Sequence, residues 1–184
     1  MKNQFKNPNF DSYKQLKEFV LSPYCKWTYT EETIPPSDDP NDPIDTNYKN
    51  TSLYSHSFLD RPRSDVVRYP SVGDSKYIDL VSTAICDIML YNGFCVRSFY
   101  RICANATHPY EKVYSTVPHV DHGYDHGNII LYLTDAGGKT FIEQEPNHYE
   151  YHDPKEDDVL LFSGKHYNET PSDKRRVVIV ATFM

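Results

Sequence analysis

The segment PHVDHGYDHG, residues 118–127, crowds His119, Asp121, His122, Asp125 and His126 into one short stretch, and side chains of these types bind metal ions. A bare His-x-Asp pair carries little weight by itself. Eight histidines and seventeen aspartates in 184 positions produce roughly 0.7 such pairs by chance, so the context must decide. On an extended strand, residues two apart share a face. His119 and Asp121 can therefore reach one ion together, while Val120 and His122 point away. A third ligand has to come from another element, and His166 stands just past the apolar run DVLLFS. Two imidazoles and one carboxylate on one face of an octahedral iron(II) leave the other positions open, as an oxygen-activating centre requires. His122, Asp125 and His126 read as turn and surface residues, with the alternative that they hydrogen-bond the ligands from behind.

Strands must carry such ligands, and the chain supplies them after Gly93. FCVRSFYRIC, NIILYLTD, KTFIE, DVLLFS and RVVIVATF are short β-branched and aromatic runs separated by turns, the spacing of a β-sandwich or barrel. Sixteen Tyr and nine Phe favour strands as well. Before Gly93 the period is helical. Residues 75–91 place Ile78, Val81, Ile85, Ile88 and Met89 in one stripe, with Asp74 as the expected cap and Gly93 as the stop. An earlier helix is expected from Asp11, as N-cap, to Leu21, with Tyr13, Leu16, Phe19 and Val20 on one face. Cys25 to Thr30 reads as a short strand. TIPPSDDPNDPIDTNY, residues 33–48, is a long loop, either a surface loop or a lid over a site. Helices first and strands after predict a mainly β, α+β protein with N-terminal helices packed on a jelly roll. The length suits a single domain, with a helical flank and early strands in residues 1–93 and the jelly-roll core in residues 94–184.

Charge narrows the function classes. Nineteen Lys and Arg against 26 Asp and Glu leave a net charge of −7, which offers no broad electrostatic footprint for nucleic acid and no polybasic membrane patch. Arg61, Arg63 and Arg68 leave room for a local basic cluster. No apolar run approaches the ~20 residues of a membrane helix, and MKNQFKNPNF lacks the apolar centre of a signal peptide. Cys25, Cys86, Cys95 and Cys103 form no CxxC pair, as expected of free thiols in a reducing cytoplasm. The expected partner is a small molecule or a peptide, with HSFLDRPRSD (56–65) and the 33–48 loop available to shape the mouth of a site.

VPHVDHGYDHGNIILYLTDAGGKTFIE, followed by DDVLLFSGKHYNETPSDKRRVVIVATF, resembles the 2-oxoglutarate/iron(II) oxygenase superfamily. The similarity is strongest to its prolyl-hydroxylase-like branch and small virus-encoded relatives, which carry a YRIKAN-like strand where this chain has YRICAN at 100–105. It covers roughly residues 94–184. The resemblance implies a double-stranded β-helix, with iron(II), 2-oxoglutarate and O2 as cofactor and co-substrates. The implied chemistry couples decarboxylation of 2-oxoglutarate to hydroxylation of a C–H bond. It makes His119, Asp121 and His166 the iron ligands. Tyr132 would donate its hydroxyl to the distal carboxylate of 2-oxoglutarate, Arg176 would pair with that carboxylate, and Asn105 would lie near the cofactor. Gly137 and Gly138 match the family's GGxT turn. Asp157 stands where the family has Gly in Pro-x-x-Gly-Asp; Asp tolerates left-handed geometry, so the turn is expected to survive. Arg175 and Arg176 face opposite ways on one strand, and since both faces are apolar further along, the resemblance alone selects Arg176. The competing readings are a jelly-roll binding module without catalysis and a cupin-like zinc or manganese protein, which would leave Arg176 without a purpose.

Overall fold

The computed structural model describes residues 2–31, 48–49, 51–61 and 75–184. The 33–48 loop, apart from Tyr48, lies outside them, as do Asp74, Arg63 and Arg68. The described elements run β1 (Lys2–Phe5), α1 (Asp11–Leu21), β2 (Thr28–Thr30), β3 (Leu53–Leu59), α2 (Ile78–Tyr91), β4 (Phe99–Thr107), β5 (Gly127–Tyr132), β6 (Thr140–Glu145), β7 (His148–His152), β8 (Val159–Phe162), β9 (His166–Asn168) and β10 (Arg176–Phe183). Two antiparallel sheets form. The major one has the order β1-β8-β5-β10-β4-β3-β2 and the minor one β7-β6-β9. This is the jelly roll that the strand spacing predicts, with both helices on the outer face of the major sheet.

Strand alternation decides what each face does. On β10, Val177, Ile179 and Ala181 pack with Ile102, Ala104 and Ala106 of β4 beneath Leu16, Val20, Val81, Ile85 and Ile88 of the two helices. The opposite parity, Arg176, Val178 and Val180, faces the space between the sheets. There a smaller apolar cluster of Ile130, Tyr132, Ile142, Leu160, Phe162 and Val178 forms the floor. Register carries that parity across: Arg176 lies opposite Thr107 and Val178 opposite Asn105.

The helices differ from expectation in their starts. α1 begins at Asp11 with Phe10 at the N-cap and no side-chain cap, so Asp11 contributes first-turn charge and not a cap. α2 starts at Ile78, the first residue of the apolar stripe and three residues later than the expected start at residue 75. It stops as expected: Phe94 N–H donates to Met89 O at 2.9 Å, Gly93 N–H donates to Leu90 O at 3.0 Å, and Gly93 takes φ +79°. The Cys25–Thr30 strand shortens to Thr28–Thr30, and the YRICAN strand begins only at Phe99. β1, β3, β7 and β9 were not marked by periodicity, because each is held by its sheet partner more than by its own pattern.

Asp157 takes φ +68°, so the turn before β8 survives without glycine. Its side chain adds what glycine could not. Tyr13 Oη donates to Asp157 Oδ1 at 2.6 Å, and Lys17 Nζ reaches the same oxygen, so α1 is pinned to the jelly roll.

Candidate metal centre

His119 and His166 are brought together by main-chain bonds. Each N–H donates to the other's carbonyl at 2.9 Å, an isolated bridge that continues the minor sheet beyond β9. His119 therefore sits in extended backbone next to β9 but outside any ladder strand. His166 is also fixed from its other side, where it lies opposite Ile142 of β6. The rings are oriented by carbonyl oxygens that can only accept: His119 Nδ1 meets Val117 O at 2.9 Å and His166 Nδ1 meets Gly164 O at 3.2 Å. Both Nδ1 atoms therefore carry the proton, leaving each Nε2 with a lone pair to offer.

Asp121 completes the group. Its Oδ1 accepts from Arg61 Nη2 at 2.9 Å and from Arg101 Nη1 at 3.4 Å, while Arg61 Nη1 also donates to the Asp121 carbonyl at 3.0 Å. Its Oδ2 is buried with no hydrogen-bond partner among the described residues, 3.6 Å from His166 Nε2. A buried, unpartnered carboxylate oxygen is costly unless a cation satisfies it. Ligand atoms of His119, Asp121 and His166 all lie within 4.8 Å of one another, and no other group of three or more such side chains occurs among the described residues. The donor set and the orphaned oxygen both fit a divalent cation with open positions. Burial pushes the His166 imidazole down to about 4, so it is neutral at pH 7. Burial opposes ionisation of Asp121 too, but the charges of His166, Arg101, His119 and Arg61 outweigh it and hold the carboxyl below its usual range. At neutral pH these two side chains are thus already in their metal-binding forms.

The same three residues line a cavity of about 270 Å³ between the sheets, together with Arg101, Asn105, Thr140, Asn168 and Arg176. Arg176 is only 6% exposed, whereas Arg175 is exposed. Arg176 Nη2 donates to Thr140 Oγ1 at 3.3 Å, its Nε is buried without a partner among the described residues, and its guanidinium lies 5.4 Å from the Tyr132 ring centroid. Burial lowers its pKa, yet a guanidinium starts high enough to stay charged. Gly138, at φ +79°, makes room for it: a Cβ there would stand 2.7 Å from Glu169 O and 3.2 Å from Arg176 Cδ. Asn105 lines the cavity with its Oδ1 buried and unpartnered among the described residues. Tyr132 is placed differently. It is buried behind Thr140, bonded to that hydroxyl at 2.8 Å, and is not among the residues lining the cavity.

His122 is not a surface residue. It is 4% exposed, with Nε2 at 2.8 Å from Thr182 Oγ1 and its ring stacked on Tyr124. His126 Nδ1 bonds Tyr124 O at 2.7 Å, and Asp125 is exposed. None of the three joins the triad. Sequence reasoning missed Arg101 and Thr140. Arg101 was detectable, since it stands in YRICAN with the parity of Asn105, and Thr140 closes the GGKT turn. Nothing local marks Arg61 as a partner of Asp121.

This jelly-roll fold is shared with solved structures of a 2OG-Fe(II) oxygenase family member and a prolyl hydroxylase. Among solved structures, a 2OG-Fe(II) oxygenase family oxidoreductase from Burkholderia pseudomallei superposes with a TM-score of 0.67 at 11% identity, covering 95% of this chain and 80% of that one. A prolyl hydroxylase from Trichoplax adhaerens, in complex with a hypoxia-inducible-factor degradation-domain peptide, gives 0.62 at 12% identity, covering 100% and 83%. A non-haem α-ketoglutarate-dependent epimerase from nogalamycin biosynthesis gives 0.58 at 10% identity, covering 100% and 77%. At these identities the likeness is one of fold. No family model and no curated protein sequence matches the chain.

Proposed function

We propose that this chain is an iron(II)- and 2-oxoglutarate-dependent dioxygenase that hydroxylates a peptide or prolyl residue, an amino acid or a small metabolite, with release of succinate and CO2. One observation carries the reading: a His/Asp/His set with an orphaned carboxylate oxygen shares a cavity with a buried arginine whose Nε has no partner among the described residues. A metal alone would explain the first feature. Only an anionic co-substrate explains both.

His119 Nε2, His166 Nε2 and Asp121 Oδ2 would hold iron(II), which when bound supplies the activation of O2 that C–H hydroxylation needs. Arg61 and Arg101 tie down Asp121 Oδ1 and so commit Oδ2 to the metal. Arg176 pairs with the distal carboxylate of 2-oxoglutarate, held in place by Thr140 and by the Tyr132 ring. A direct bond from Tyr132 to that carboxylate would require its hydroxyl to give up Thr140. Asn105 presents its amide to the same space. Because α1 and α2 share one apolar core with β4 and β10, the helical flank and the jelly roll are read as a single domain.

The test is anaerobic addition of 2-oxoglutarate to the iron(II)-loaded protein. The expected result is the weak visible charge-transfer band of the chelate, followed by succinate release in air. Iron bound without that band at saturating 2-oxoglutarate would refute the reading and favour a cupin-like centre.

A further inference from the structure

The cavity is cationic in an acidic protein. The whole chain carries −7, yet the described residues lining the cavity include three arginines, Arg61, Arg101 and Arg176, against one carboxylate, Asp121. Granting the reading above, iron(II) and the 2-oxoglutarate dianion cancel, and the ligating imidazoles are neutral. One Asp then faces three guanidinium groups, so an excess of two positive charges remains in the loaded site.

Arg176 is accounted for by the co-substrate, and Arg61 reaches Asp121 through two bonds. Arg101 is underused. A guanidinium has five N–H donors. Among the described residues Arg101 makes one hydrogen bond, the long 3.4 Å contact to Asp121 Oδ1. Its side chain is 23% exposed and lines the cavity, so its other donors are confined near the metal ligands and not spread in bulk solvent. Asp60, the other acid in its neighbourhood, is exposed and is held by Ser57 Oγ at 2.5 Å. A partly desolvated guanidinium with spare donors is built to take a planar or tetrahedral oxyanion.

We propose that the substrate hydroxylated here carries an anionic group, a carboxylate or phosphate, which Arg101 binds beside Asp121. This rests on the dioxygenase reading and narrows its substrate class. The cavity, at about 270 Å³, sits just below the ~300 Å³ where small-molecule sites begin, so co-substrate and substrate would crowd it.

The experiment uses zinc(II)-loaded protein saturated with 2-oxoglutarate. It is titrated calorimetrically with sulfate, a weak metal ligand, at constant ionic strength made up with chloride. Wild type should show one saturable site, and Arg101→Gln, reloaded with zinc and 2-oxoglutarate to saturation, should weaken it at least tenfold. No saturable sulfate site in a protein that does bind 2-oxoglutarate overturns this inference and leaves the dioxygenase reading intact. The same holds for equal sulfate affinity in wild type and Arg101→Gln. Failure of the zinc protein to bind 2-oxoglutarate overturns both. Should Arg101→Gln lose zinc, the titration is repeated on Arg101→Lys, which keeps the charge but not the fork. Sulfate weakened severalfold there supports the proposal, and unchanged affinity overturns it.

Discussion

Replacing Arg176 by Met should have opposite effects on the protein with and without 2-oxoglutarate. Among the described residues Arg176 is a buried cation with a long hydrogen bond to Thr140, at 3.3 Å, the Tyr132 ring 5.4 Å away and an unpartnered Nε. Without an anion its charge is uncompensated, so an apolar side chain of similar length should leave the ligand-free protein as stable or more so. With 2-oxoglutarate the balance reverses. Removing one partner of a desolvated charge pair costs about 2–5 kcal/mol, which is a loss of affinity of about 30-fold or more. At a concentration 100 times the wild-type dissociation constant, ligand stabilises wild type by about 2.7 kcal/mol. For a chain of this size that is a rise in melting temperature of about 5–11 °C. The same concentration is only about three times the dissociation constant of a variant weakened 30-fold, giving about 0.9 kcal/mol and about 2–4 °C. Arg175 is exposed, so Arg175→Met should stay within about 0.5 kcal/mol and keep the full rise. The assay is thermal unfolding of the metal-loaded protein with and without 2-oxoglutarate. A full rise in Arg176→Met, with the rise lost in Arg175→Met, would refute the assignment and the parity on which it rests.

Ala at His119, Asp121 or His166 should abolish metal retention, measured by metal analysis after desalting. His122→Ala should keep the metal while losing stability, because its bond is to Thr182 and not to the triad. The metal-free protein should lose stability between pH 6.5 and about 4. The unfolded chain protonates His166 near 6.5, the folded one only at about 4, so the unfolded state binds more protons in that window. The loss should be at most about 3 kcal/mol, read from urea midpoints, and His166→Gln should flatten it. Asp157→Gly should relieve a left-handed residue but orphan the buried Tyr13 hydroxyl and free Lys17, for a net loss of about 1–2 kcal/mol in urea unfolding. Asp157→Asn should stay close to wild type.

Much of this was legible in the chain. The apolar stripes of α1 and α2 and the runs that became β5, β8 and β10 were visible because periodicity is a short-range property, set by each residue's neighbours along the backbone. Asp157 could be read as a left-handed turn for the same reason: one residue's sterics decide it. Extended backbone allowed His119 and Asp121 to share a face, and the resemblance singled the pair out.

What the chain could not decide by itself depends on partners distant in sequence. Both faces of β10 are apolar, so alternation separates Arg175 from Arg176 without saying which enters. The answer came when Val177, Ile179 and Ala181 were covered by the helices, which turned Arg176 toward the cavity. β9 is three residues long with no pattern of its own, and His166 reaches the metal site only through its bridge to His119 and its register with Ile142. His122 reads as a turn residue locally and is buried because β10 brings Thr182 beneath it. Arg61, just past the end of β3, and Arg101, on β4, converge on Asp121, and the excess positive charge exists only once they do. Local sterics and polarity belong to the sequence. Register, burial and local charge appear only when the sheets pair, because each is a relation between segments that the backbone does not connect.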